Sequence, residues 1–173
     1  MHVFQFIPLY LIATVHAKLV NVTLDDRSTG LVYSPLNSWA DGADCQPCSA
    51  KPDINNLVNG TWHDATYYPG KNQPQNVSLS FSGELAIYVQ CILAKNSTSP
   101  PINGHADMRF YIDDVLVGQF GRDIPNDSAE SFEYHVPVYR NTSINAGLHS
   151  FQLQNGINGG EQSLILLDAI IYT

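Results

Sequence analysis

Residues 76–82 read Asn76-Val77-Ser78-Leu79-Ser80-Phe81-Ser82, a strict alternation of apolar and small polar side chains. A period of two puts Val77, Leu79 and Phe81 on one face of an extended chain and the Asn and Ser side chains on the other. A helix would scatter that pattern, because its faces collect residues three and four apart. The stretch is therefore a half-buried strand, and the same signature spreads outward from it. Val20, Val22 and Leu24 alternate with Asn21 and Thr23, and Leu85, Ile87, Val89, Cys91 and Leu93 share one face. Met108, Phe110 and Ile112 run into Asp113-Asp114 and then into 115–120, which reads as a hairpin. Phe132, Tyr134, Val136 and Val138, then Phe151 and Leu153, then the apolar segment 164–172 complete the series. Turn dipeptides fall between them at Asn59-Gly60, Asn103-Gly104 and Asn155-Gly156. Eight or more short strands with one polar face each predict an all-β chain, an antiparallel β-sandwich of jelly-roll type.

The balance of charge narrows the partners. Sixteen acidic and eight basic side chains give a formal net charge of −8. A chain so acidic, with no basic run, has no electrostatic footprint for nucleic acid or an anionic membrane. Apolar residues make up 44% of it, which excludes a disordered chain.

Residues 1–17 contain no Asp, Glu, Lys or Arg, and an apolar stretch over 3–15 leads into Val15-His16-Ala17. Thirteen residues are too few to cross a bilayer, which takes about 20. The pattern predicts a signal peptide cleaved before Lys18, followed by a single domain over residues 18–173. Asn-x-Ser/Thr sequons stand at Asn21, Asn59, Asn76, Asn96, Asn126 and Asn141, where chance spacing of the same Asn, Ser and Thr residues would give about two. These acceptors predict a secreted, extracellular glycoprotein.

Cys45-Gln46-Pro47-Cys48 lies in a polar stretch with turn chemistry on both sides, and predicts a local structural disulfide. A redox pair or a zinc site would need a following helix or a second ligand pair. Cys91 shares a face with Ile87, Val89 and Leu93 and reads as a buried free thiol. An intermolecular disulfide would require it to be exposed.

Sets of catalytic residues are missing from the sequence. There is no G-x-S-x-G, no H-E-x-x-H and no phosphate-binding Gly-rich loop. Glu84, Glu130, Glu133 and Glu161 are the only Glu residues, and no pair of them alternates on one strand face as a sandwich glycosidase would need. His105-Ala106-Asp107 lacks the further His and Glu of a cupin-type metal site. Two constellations remain. The long segment 34–70 carries Trp39, Trp62, His63, Asp64, Tyr67 and Tyr68. Flat aromatic rings pack on the C–H faces of sugars while Asp and Asn side chains meet their hydroxyls, so this segment is the expected ligand site. The competing reading is that the two Trp cap the open end of the sandwich core. The second constellation is acidic: Asp25-Asp26 after the first strand and Asp168 inside the last one, in phase with Leu164, Leu166 and Ile170. A carboxylate there needs a partner, either a structural calcium held by oxygen ligands or backbone amides that it caps.

The order of several motifs is familiar. Val22-Thr23-Leu24-Asp25-Asp26, Leu31-Val32-Tyr33-Ser34-Pro35, Trp39 and Cys45-x-x-Cys48 come first. Gly60-Thr61-Trp62-His63-Asp64-Ala65-Thr66 and Tyr88-Val89-Gln90-Cys91-Ile92-Leu93 follow. Phe110-Tyr111-Ile112-Asp113, Tyr134-His135-Val136-Pro137-Val138-Tyr139 and Leu167-Asp168-Ala169-Ile170-Ile171-Tyr172 complete it. Together they resemble the ectodomain of a group of secreted and single-pass membrane proteins of mushroom-forming fungi. The resemblance implies a galactose-binding-domain-like jelly roll, similar to non-catalytic carbohydrate-binding modules. It also implies a structural calcium on Asp25 or Asp26 with Asp168, as in some such modules. Many of the group continue into a Ser/Thr-rich linker and a transmembrane helix, so a soluble and a membrane-tethered form both stay open. The sequence thus predicts a non-enzymatic module that binds glycan at the cell wall or surface. The alternative is a structural or protein-interaction ectodomain without a sugar ligand.

Overall fold

A computed structural model describes residues 20–83, 86–95, 104–123 and 131–173 of the chain. The expected signal peptide and the sequons at Asn96 and Asn126 lie outside the described residues. Eleven strands are present among them: β1 (Val22–Asp25), β2 (Val32–Ser34), β3 (Ala40–Asp41), β4 (His63–Tyr67), β5 (Gln75–Gly83), β6 (Ile87–Ala94), β7 (Ala106–Ile112), β8 (Val115–Arg122), β9 (Phe132–Asn141), β10 (Gly147–Asn155) and β11 (Ser163–Tyr172). They form two antiparallel sheets, β3-β4-β11-β6-β9 and β2-β5-β10-β7-β8, with β1 added to β11. This is the jelly-roll sandwich that the alternating pattern predicts.

The alternation places the core where expected. Val77, Leu79 and Phe81 of β5 pack with Phe110 of β7 and Phe151 of β10 on one side, and with Ile87, Val89, Ile165 and Leu167 of the other sheet. Phe110 stacks on Tyr139 of β9 at 4.5 Å between centroids. Cys91 is buried in this core with its thiol free, and burial pushes the thiol up from its ordinary range. The β7–β8 turn is Asp113-Asp114, at φ 50° and 63°. Two positive φ values suit a tight hairpin, usually at the cost of a Gly. Here the Asp113 carboxylate holds the turn by accepting from Ser150 N at 2.9 Å and His149 Nδ1 at 2.7 Å.

The sheet containing β11 is covered on its outer face as well. Segment 42–60 lies across it in short 3-10 turns and brings Ala50 and Leu57 over Trp62, Ile92, Ala94, Phe132 and Leu166, which form a second apolar cluster. The Cys45–Cys48 disulfide sits in this cover, with Cα atoms 5.4 Å apart, as the spacing predicts. Two-sided burial explains why 91–94 in β6 and 165–170 in β11 are buried without a break.

One further feature positions the acidic residues. β11 is ten residues long, and β4 and β1 pair with successive halves of the same edge: Ser163 to Leu167 with β4, Ala169 to Tyr172 with β1. Asp168 stands at the joint, where the β11–β6 register also shifts between Leu167 and Ala169. The start of β4 and the end of β1 therefore meet at Asp168.

Candidate functional site

At that joint Asp26 is fully buried, and its backbone N–H donates to the Asp168 carbonyl at 3.1 Å. Thr61 Oγ1 donates to Asp26 Oδ1 at 2.5 Å, and His63 Nδ1 meets Oδ2 at 2.6 Å. An ionised carboxylate only accepts, so with Asp26 charged the bond runs from His63 Nδ1 to Oδ2. Tyr33 stacks on the His63 ring at 4.3 Å and 9°, and its hydroxyl donates to the Asp26 carbonyl at 2.5 Å. Trp39 tilts against Tyr33 at 4.9 Å. Burial, then the neighbouring Asp26 charge, raises the Asp25 carboxyl above its ordinary value. Asp168 Oδ1 accepts from Val58 N at 2.9 Å, while the buried Oδ2 makes no hydrogen bond and faces His135 Nδ1 at 3.5 Å. Burial pushes the Asp168 carboxyl up to about 6.

These bonds bear on the two readings of the acidic set. Calcium takes six to eight oxygen ligands at about 2.3–2.6 Å. Both oxygens of Asp26 are engaged by Thr61 and His63, and Asp168 spends one oxygen capping the Val58 amide. Among the described residues no group of three or more His, Cys, Asp or Glu side chains is placed to hold a metal ion. Asp25, Asp26 and Asp168 thus do not fit calcium as they stand, and the amide-capping reading describes Asp168. A chelator is expected to leave the melting temperature unchanged in calorimetry, whereas a drop of several degrees would restore the metal.

The aromatic set comes apart. Trp62 and Tyr67 are 2% and 1% exposed and present no face to a ligand. Trp62 belongs to the outer cluster beneath segment 42–60, and Tyr67 packs so closely over Gly156 that a Cβ there would lie 2.2 Å from its ring. His63 and Trp39 go to the Asp26 joint. Asp64, on the opposite face of β4, lies 3.8 Å from Cys48 Sγ, and burial pushes its carboxyl up to about 6. Because Cys48 is oxidised, that approach is a contact and not a hydrogen bond. Tyr68 is exposed and carries Lys71 Nζ over its ring at 5.7 Å. The segment expected to bind ligand is mainly the cover of a second core. Of the described sequons, Asn21 and Asn59 are exposed, while Asn76 and Asn141 are half-buried.

An open cavity of about 390 Å³ lies elsewhere, at the end of the sandwich where β7 begins, β8 ends and the β10–β11 loop turns. His105, Asp107, Arg122, Asp123 and Glu161 line it. Beneath it the buried Asn155 and Ser163 lock the strand ends: Ser163 Oγ donates to Asn155 Oδ1 at 2.7 Å, and the Asp107 amide donates to Ser163 Oγ at 2.8 Å. Arg122 is held by Glu133 at 2.7 Å, and His105 Nδ1 is 3.0 Å from Asp123. Three separate parts of the chain build this wall. His105-Ala106-Asp107 is the one piece of it that stands out in sequence, because its residues adjoin.

No protein-family model matches the sequence, and no curated protein matches it. Solved structures do. The K2 cleaved adhesin domain of Lys-gingipain superposes with a TM-score of 0.55 at 11% identity, over 89% of this chain and 99% of that one. A family 35 carbohydrate-binding module from Clostridium thermocellum gives 0.51 at 7% identity, over 88% and 97%. A Paenibacillus cycloisomaltooligosaccharide glucanotransferase complexed with cycloisomaltoheptaose gives 0.51 at 16%, over 87% of this chain but 18% of the enzyme. At such identities the likeness is one of fold: this chain has the jelly-roll sandwich seen in carbohydrate-binding modules.

Proposed function

We propose that the chain is a non-catalytic carbohydrate-binding module that works outside the cell, with N-glycans on its surface. The observation that carries this reading is the cavity of about 390 Å³ walled by hydrogen-bonding side chains, on a fold shared over 88% of the chain with a family 35 module. Sugar hydroxyls need convergent donors and acceptors held on a rigid frame, and the strand ends locked through Asn155 and Ser163 supply that frame. Three carboxylates against one guanidinium favour neutral over acidic sugars. Extracellular placement rests on the apolar leader, the sequon excess and the Cys45–Cys48 disulfide.

The test is a glycan array followed by affinity electrophoresis. Arg122→Ala and Glu161→Ala are expected to weaken sugar binding at least tenfold. Stability should hardly change, since the partly exposed Arg122–Glu133 pair is worth at most about 1 kcal/mol. Binding of no glycan by the wild-type protein rejects the reading. A protein-interaction role is the second reading, favoured by Val115, Leu116 and Val117, exposed at 63%, 50% and 39% on the edge strand β8. Concentration-dependent self-association without sugar binding would select it.

A further inference from the structure

The outer face of the sheet β2-β5-β10-β7-β8 carries a row of amide side chains that neither the core nor the cavity uses. Strand register sets Ser34, Asn76, Gln154, Arg109 and Gln119 side by side, one from each strand. With strands about 4.8 Å apart, four gaps make a row of about 19 Å. The adjacent row is Val32, Ser78, Gln152, Tyr111 and Leu116. Val32 is 61% exposed and Leu116 50%. Of these ten side chains Arg109 alone is charged, whereas a solvated sheet face is ordinarily studded with Lys and Glu. Arg109 is half-buried among its neighbours, so the amides and Tyr111 carry the polar chemistry of the face. Gln152 Nε2 donates to Asn76 Oδ1 at 3.2 Å, which holds two of the amides in place across the strands.

We infer that this face is a second glycan platform, taking an extended neutral polysaccharide laid across the strands. Each carboxamide offers a donor and an acceptor in one plane, which matches a pair of neighbouring sugar hydroxyls. Tyr111 adds a flat ring with a polar tip beside the row. An uncharged ligand suits a face with one cation, on a chain whose net charge of −8 repels acidic glycans. The inference rests on the carbohydrate-binding reading and adds to it a place and a ligand class.

The experiment uses the whole chain, secreted to a bacterial periplasm so that the disulfide forms. Asn76 is half-buried with its Oδ1 accepting from Gln152, and the platform requires this sequon to stay unmodified, as it does in that host. Affinity electrophoresis is run in a neutral β-glucan, in a mannan and in polygalacturonate. The wild type is expected to be retarded by a neutral polymer and not by polygalacturonate. Tyr111→Ala and the double variant Gln152→Ala/Gln154→Ala should each weaken that retardation at least tenfold. Gln152→Glu/Gln154→Glu, which keeps side-chain length and adds charge, should cut it to what the cavity alone supports, without loss of the folded spectrum. Retardation equal to wild type in these variants, lost instead in Arg122→Ala, overturns the platform alone. No retardation of the wild type overturns both the platform and the module reading, and equal retardation by polygalacturonate overturns the neutral ligand class.

Discussion

Trp62→Ala is expected to destabilise the protein by about 3–5 kcal/mol, the usual cost of emptying a buried aromatic site. For a chain of this size that lowers the melting temperature by roughly ten degrees or more. Trp62 is 2% exposed among Ala50, Leu57, Ile92, Ala94, Phe132 and Leu166, and no one of these can follow the ring inward without uncovering β6 or β11. The cover closes tightly: a Cβ on Gly42 would lie 2.0 Å from Trp62 Nε1, and Gly42 N donates to the Trp62 carbonyl at 2.8 Å. Trp62 Nε1 is itself buried without a hydrogen bond. Trp62→Phe removes that unmet donor together with part of the ring, so its cost should be smaller, about 1–2 kcal/mol. Sugar affinity measured well below the transition should be unchanged in both. A variant that kept wild-type stability and lost binding would return Trp62 to a ligand surface.

The strands were legible because a period of two is a local property, carried by Val77, Leu79 and Phe81 whatever they pack against. Apolar runs at 91–94 and 164–167 also held a signal that the alternation obscured. Without polar interruption they imply burial on both faces, and hence something covering the second face. That cover, 42–60, offers no period of its own and looks like a long functional loop. Trp62 and Tyr67 illustrate the difficulty: an aromatic residue beside turn formers is chemically suited to a sugar and equally suited to a core. Only the three-dimensional neighbours, Ile92 and Leu166 for one and Gly156 for the other, separate the two uses.

The acidic set was half legible for a related reason. The phase of Asp168 with Leu164 and Leu166 places it on a buried face, and its need for a partner follows from burial alone. Its partner, the Val58 amide, lies 110 residues away and is delivered by the cover. Asp26 finds Thr61 and His63 because β1 and β4 divide one edge of β11, and nothing in the local pattern of any of the three strands encodes that division. The cavity at the sandwich end was illegible for the same reason, being assembled from 105–107, 121–123 and 160–161. The amide row is different in kind. Its outward positions can be read from each strand, but their alignment into one row needs the register of five strands together.

At pH 7.5 Asp168→Asn is expected to stabilise the protein by about 1–2 kcal/mol, raising its melting temperature by several degrees. Burial holds the Asp168 carboxyl at about 6, against 3.8 for the ordinary group; Asp26 and Asp25 push the same way, while the Val58 amide and His135 oppose them. The folded chain therefore keeps this proton to a higher pH than the unfolded one. Between about pH 4 and 6 the folded state binds more protons, so stability falls as pH rises through that window and stays lower above it. The full difference corresponds to at most about 3 kcal/mol, and the asparagine recovers only part of it because the bond from Val58 N to Oδ1 is weaker to an amide oxygen than to a carboxylate. Asp64, also raised to about 6 by burial, adds to the same slope, so Asp168→Asn should flatten the pH 5–7.5 profile in part and Asp64→Asn a further part. Asparagine keeps an oxygen for the Val58 amide and removes the charge that the site cannot pair. A cation seated on Asp168 would reverse the sign, because the variant would lose a ligand and melt lower at pH 7.5. Thermal melts of wild type and Asp168→Asn at pH 5 and 7.5, with and without chelator, separate the two cases: an unpaired carboxylate gives a stabilised, chelator-indifferent variant, and a metal ligand gives a destabilised one.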